Sequence, residues 1–237
     1  MSENPGTATD VKDRTVVLLH GLGGSAADTW QGNGWIDLIT DAGRPALGID
    51  LLGHGSAPKP HDPTAYQAMH QHVIDQLPDT PVDAIGFSLG AMTLLRCAIE
   101  APERFARLVL TGIGGNVFEP SEHHQKIVDA IDGVGDPNDP FTRYFADLAG
   151  NPDADPEALK ALVTSGGKRL TPTDVQAITV PVLVLLGDGD FNRPAAPLVD
   201  ALANATFSEL KRCDHFATPR SMQCLDEALA FVDASPF

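Results

Sequence analysis

Cysteine is scarce: Cys97, Cys213 and Cys224 are all there are among 237 residues. Three thiols, none in a C-x-x-C spacing, give no complete disulfide framework and no zinc-ligand pattern, and they fit a reducing, cytoplasmic setting. Positive charge is scarce as well. Sixteen Lys and Arg stand against 32 Asp and Glu, a formal net charge of −16, which argues against nucleic acid or an anionic membrane surface as partner, because both reward a basic face. No apolar run approaches the roughly 18 residues of a membrane span. Met1-Ser2-Glu3-Asn4-Pro5 has neither the basic nor the apolar region of an export signal. No internal repeat or low-complexity tract is present, and the length suits one domain (1–237) that buries its core without staples.

Residues 1–14 are polar and read as a flexible tail. Then apolar, β-branched runs recur: Thr15 to His20, Pro45 to Asp50, Val82 to Phe87, Arg107 to Thr111, Val180 to Leu186 and Thr206 to Leu210. Such runs suit strands buried on both faces of a parallel sheet. Between them lie helix-compatible stretches at Trp35–Ile39, Thr64–Leu77, Leu89–Glu100, Pro197–Ala203 and Met222–Asp233. Alternation of this kind predicts an α/β fold with ligands at the carboxyl ends of the strands.

The stretch Val82 to Met92 reads as strand, pinched turn and helix, with Gly86-x-Ser88-x-Gly90 on the pinch. A serine held there in a strained conformation projects its hydroxyl above the sheet edge. The flanking glycines, lacking Cβ atoms, let the helix start close against the strand. The helix then aims its positive end and unpaired N–H groups at any oxyanion formed at Ser88.

This pattern resembles the nucleophile elbow of α/β-hydrolases. The resemblance extends to His20-Gly21-Leu22-Gly23 after the first strand, to Asp50-Leu51-Leu52-Gly53-His54-Gly55-Ser56, and to Pro102-Glu103-Arg104-x-x-x-Leu108-Val109-Leu110. By that likeness the oxyanion donors are the backbone N–H groups of Leu22 and Leu89. His54 is read as structural. The family's base follows the last strand, which singles out His215 among eight histidines. Its acid stands three residues after a strand-ending glycine, which gives Asp190 after Gly187, with Asp188 as the fallback. The alternative acid position, after Thr111, holds only Gly112-Ile113-Gly114-Gly115. Ser88, Asp190 and His215 then occur in the family's order of nucleophile, acid and base.

From 112 to 178 the strand–helix alternation stops, and helix-like pieces near Ser121–Ile131, Phe141–Ala149 and Pro156–Thr164 sit between Gly, Pro and Asp breaks. Ser121 and Asp155-Pro156 supply capping starts. The family places a helical lid here, and Phe118, Phe141, Tyr144 and Phe145 would give it an apolar underside. Family members commonly begin with an extra strand pair that the first fourteen residues are too few and too polar to supply, so about six strands are expected. A second copy of the chain is a candidate partner for the trimmed sheet.

The implied activity is serine hydrolysis of a carboxylic ester of small to medium size, through an acyl-enzyme, with no metal and no organic cofactor. Neighbouring His70 and His72 lie on different helix faces and do not form a metal pair. The same triad also serves carbon–carbon bond hydrolases, lactonases, thioesterases and acyltransferases. Epoxide hydrolases and haloalkane dehalogenases place an aspartate where this chain has Ser88. A hydrolase-fold ligand receptor with little turnover is the alternative of another class.

Overall fold

The computed structural model describes residues 11–119, 123–151 and 154–236. Six strands, β1 (Val16–Leu19), β2 (Ala46–Ile49), β3 (Val82–Phe87), β4 (Phe105–Thr111), β5 (Val182–Gly187) and β6 (Ala205–Leu210), form one sheet in the order β2-β1-β3-β4-β5-β6. Every pairing is parallel, as the apolar runs predict.

Successive side chains of a strand point to opposite faces, and the two cores divide accordingly. Val17, Leu19, Ala84, Leu108, Leu110, Val182 and Val184 face one layer, where α2 (Met69–Ile74), α3 (Leu89–Glu100), α7 (Pro172–Gln176) and α8 (Ala196–Ala201) pack. Val16, Leu18, Ile85, Phe87, Val109, Leu183 and Leu185 face the other, against α1 (Trp35–Asp41) and α9 (Met222–Phe231). Trp30 and Trp35 meet edge to face there with centroids 5.0 Å apart. Central strands are buried on both faces, whereas edge strand β6 leaves Phe207 exposed.

Three helices, α4 (His124–Ile131), α5 (Pro140–Ala149) and α6 (Pro156–Val163), stand over the carboxyl edge with a separate small core of Ile127, Ala130, Phe145 and Val163. Asp139 and Asp155 cap α5 and α6 by accepting from Thr142 N and Ala158 N, each with proline in the first turn. The expected cap Ser121 lies outside the described residues. Other parts of the 112–178 interval pack differently: Ile113, Val117, Leu170, Val175 and Ile178 of its flanks, and Ala161 and Leu162 of α6, belong to the main core, and Phe118 packs on it too rather than under α4–α6.

Two local readings change. Thr64–Leu77 is not one helix but a 3-10 segment Pro63–Ala68 followed by α2. Asp62 caps the 3-10 turn and Tyr66 donates its hydroxyl to Pro60 O at 2.6 Å, which fixes the tighter winding. A π-helical turn, Ala27–Gln31, follows β1 where no helix is expected.

Of the 1–14 tail, the described part is docked. Val11–Asp13 forms a 3-10 turn, and Arg14 reaches Asp83 Oδ1 at 3.2 Å. Arg44 reaches Asp83 Oδ2 at 2.7 Å, and all three charges sit at the amino edge of the sheet. The site is at the opposite edge.

Candidate active site

Ser88 sits between the end of β3 and the start of α3 with φ 51° and ψ −111°. A non-glycine residue at positive φ is strained and is retained only where its surroundings force it. They do so here. A Cβ on Gly86 would lie 2.7 Å from Ala91 N, and one on Gly90 would lie 2.3 Å from Leu19 O. Only glycines allow α3 to start this close to β3 and β1, and Ser88 N is fixed to Thr111 O at 2.9 Å.

His215 lies in the loop between β6 and α9 and is buried. Its Nε2 is 3.0 Å from Ser88 Oγ. Its Nδ1 is 2.9 Å from Asp190 Oδ2. Phe87 and Phe191 flank the imidazole with centroids at 5.1 and 4.4 Å. Asp190, in the loop after β5, is buried. A buried carboxylate beside Nδ1 makes that nitrogen the donor and leaves Nε2 free to accept the serine proton.

Asp188 is placed elsewhere. Its carboxylate accepts from Arg212 N at 2.9 Å and Cys213 N at 3.1 Å, and these two bonds hold it below the usual carboxylate range. It ties the loop after β5 to the loop after β6 and does not face His215.

Asn192 is a residue that pattern reading misses. Its backbone N–H donates to Asp190 Oδ1 at 2.8 Å, and its side-chain Nδ2 donates to Gly112 O at 2.9 Å. The same Nδ2 stands 3.4 Å from His215 Nδ1. A carboxylate accepting from an N–H two residues on is an Asx turn, so Asp190-x-Asn192 carries a legible signal for the first bond. Nothing in the sequence signals the second, which spans eighty positions.

The N–H groups of Leu22 and Leu89 engage no acceptor among the described residues. Leu89 is the first residue of α3, whose opening N–H groups have no intrahelical partner. His20 braces the Leu22 loop: its Nδ1–H donates to Gly21 O at 2.8 Å, and its Nε2 accepts from Leu51 N at 3.1 Å. Burial pushes its pKa below the ordinary value. His54, as expected, bonds locally, from Nδ1 to Leu52 O at 3.1 Å. Burial, with His20 beside it, lowers His54 to about 3. His72 faces Asp50 O at 3.2 Å. Among the described residues, no group of three or more His, Cys, Asp or Glu is placed to hold a metal, and no helix is long and apolar enough to cross a membrane.

Aromatic rings join α5 to the site. Tyr144 stacks on Phe216 at 4.1 Å, and Phe141 meets Phe191 at 5.6 Å. Leu22 itself packs against the α4–α6 core.

Known proteins resemble this chain in sequence and fold. The chain is 24% identical, over 86% of its length and 82% of the relative, to a 2-hydroxy-6-oxononadienedioate/2-hydroxy-6-oxononatrienedioate hydrolase of a Pseudomonas species. It is 28% identical to an esterase of Mycobacterium tuberculosis over 65% of this chain, and the match spans 53% of that protein. The solved structure of a 2-hydroxy-6-oxo-6-phenylhexa-2,4-dienoate hydrolase from a Rhodococcus species superposes with a TM-score of 0.66 at 22% identity, covering 95% of this chain and 92% of the other. A model of the alpha/beta hydrolase fold matches residues 14–177, well over half of the sequence, and the chain belongs to that family.

Proposed function

We propose that the protein is a serine hydrolase that cleaves a carboxylic ester of small to medium size through an acyl-enzyme. One observation carries this reading: the unbroken line from Ser88 Oγ to His215 Nε2 at 3.0 Å and from His215 Nδ1 to Asp190 Oδ2 at 2.9 Å. A serine hydroxyl is a weak nucleophile at neutral pH and needs such a base.

Ser88 Oγ attacks the ester carbonyl carbon as His215 Nε2 takes the hydroxyl proton. The carbonyl oxygen becomes an oxyanion that accepts from the N–H groups of Leu22 and Leu89, each donor contributing about 3 kcal/mol. Collapse expels the alcohol, which leaves with the proton from Nε2. Water then attacks the acyl-enzyme with His215 again as base, releasing the acid and restoring Ser88. Asp190 keeps the imidazole in the required tautomer and stabilises the imidazolium. Helices α4–α6 act as a lid whose aromatic underside, Phe141, Tyr144 and Phe145, keeps the acyl group dry.

A second reading has a specific basis. One relative that aligns over 86% of the chain is named for a substrate with two carboxylates and a ketone but no ester. Hydrolysis of such a compound breaks a carbon–carbon bond beside the ketone, and the same Ser88 site would serve.

A fluorophosphonate probe should label Ser88, located by mass spectrometry, and purified protein should turn over short-chain aryl esters that the Ser88→Ala variant leaves intact. Cleavage of a vinylogous diketone acid alone would select the second reading. Absence of both label and turnover, with ligand binding that survives Ser88→Ala, would make the protein a receptor.

A further inference from the structure

The loop that carries His215 has a second, outward face. Residues 211–221 wall an open cavity of about 410 Å³, lined by Lys211, Arg212, Asp214, Phe216 and Arg220 with Cys213, Ala217 and Ser221 between them. Three of the sixteen cations of a chain with net charge −16 meet here.

The backbone dictates this clustering. Arg212 adopts a left-handed conformation, φ 52°, and its N–H and that of Cys213 turn inward to Asp188. Cys213 O accepts from Gly189 N, so the main chain is committed to the loop after β5. Asp214 uses its carboxylate to accept from Ala217 N at 2.8 Å, and the Ser221 hydroxyl caps α9. Lys211 pairs with Glu209. The guanidinium groups of Arg212 and Arg220 are left with neither a hydrogen-bond nor an ion-pair partner among the described residues.

Arg212 and Arg220 are both exposed, and both line this one cavity in a chain whose carboxylates outnumber cations twofold. The overall field repels anions, so any anion held here is held by local contacts. Guanidinium presents a planar fork of donors suited to carboxylate and phosphate oxygens. Phe216 provides an apolar wall; its ring also stacks on Tyr144 of α5 and meets His215 and Phe191 with centroids at 5.6 and 5.9 Å.

We propose that this cavity is an anion-binding site, in which Arg212 and Arg220 take the carboxylate or phosphate group of a small organic molecule and Phe216 takes its apolar stem. Asp214 is the one carboxylate in the wall, and its bond to Ala217 N fixes it in the cap of its own turn. The site does not use Ser88, and its test is independent of the reaction assigned above.

The full chain is titrated calorimetrically at low ionic strength with inorganic phosphate and, separately, with adipate. One saturable site is expected, weakened by added sodium chloride. Removing one guanidinium should cost about tenfold in affinity, so Arg212→Gln and Arg220→Gln should each show that loss and the double variant more. Arg169→Gln, which removes an exposed cation outside the cavity, should bind like the native chain. Tighter binding of adipate would identify a carboxylate on an apolar stem, and tighter phosphate a phosphoryl group. The proposal is overturned if neither probe saturates, if the folded double variant binds as the native protein does, or if Arg169→Gln loses as much. Arg220→Gln serves alone if the left-handed position of Arg212 makes its variant fold poorly.

Discussion

Asn192 holds Asp190 by its backbone: the N–H donates to Oδ1 at 2.8 Å, which leaves Oδ2 for His215 Nδ1 at 2.9 Å. The Asp190 carboxylate is therefore aimed by the residue two positions beyond it, while the Asn192 side chain anchors the loop after β5 to Gly112 just past the end of β4.

Asp190→Asn should lower turnover by about 10⁴, because the amide no longer selects the Nδ1–H tautomer. Asp188→Asn should keep near-native turnover while weakening the tie between two loops. Asn192→Ala retains the backbone donor and loses the bond to Gly112 and the 3.4 Å approach of Nδ2 to His215 Nδ1, so kcat should fall by about tenfold, the value of one neutral hydrogen bond, with KM unchanged. Steady-state kinetics on the three variants with one aryl ester checks the ranking. A larger loss in Asp188→Asn than in Asp190→Asn would reassign the acid.

Much of this was legible in the amino-acid sequence because the relevant signals are local. Val180 to Leu186 can hardly be anything but a buried strand, and Gly86-x-Ser88-x-Gly90 announces its turn through residues in contact with each other. What escaped reading depends on distant pairs. Asp83 lies in an otherwise apolar strand, which does signal a buried charge needing partners, yet nothing local nominates Arg44, 39 positions away. The flanks of the 112–178 interval likewise join the main core through Val117 and Val175, whose neighbours are remote in sequence.

That buried pair sets the next expectation. Arg44 and Asp83 are both fully buried as side chains, 2.7 Å apart. Arg44 also donates to Arg14 O and Val232 O, tying both ends of the described chain to β3. Arg44→Met strands most of the Asp83 charge, which should cost about 3–5 kcal/mol in urea unfolding. Adding Asp83→Leu should recover part of the loss. Activity per folded molecule should not change, since the pair sits at the far end of β3 from Ser88.

Acid sensitivity should trace to buried histidine. His54 is held down to about 3, and its Nε2 is buried without a hydrogen-bond partner among the described residues. In the unfolded chain its pKa returns to about 6.5. Below that pH the unfolded state binds a proton that the folded state refuses. Stability present above about pH 6.5 is then lost at roughly 1.4 kcal/mol per unit as pH falls toward 3. His54→Phe removes the titrating group while keeping a ring in the space. Unfolding free energies measured from pH 7 to 5 should fall less steeply for the variant, and parallel curves would assign the acid loss to other groups.

The sharpest test of the elbow is a single methyl group. A Cβ on Gly90 would stand 2.3 Å from Leu19 O and 2.7 Å from His20 O, both backbone atoms that cannot rotate away. Relief requires α3 to lift from the end of β1, and Ser88 and Leu89 lift with it. Gly90→Ala should therefore cost about 1–3 kcal/mol as overpacking. It should also cost about a hundredfold in turnover, the usual effect of a displacement near 1 Å between reacting groups. Gly150→Ala is the control, because its added carbon meets only ordinary contacts at 3.5 Å at the end of α5. It should leave both melting temperature and kinetics near native. Turnover unchanged in Gly90→Ala would mean that the close approach of α3 to β1 is not what positions Ser88.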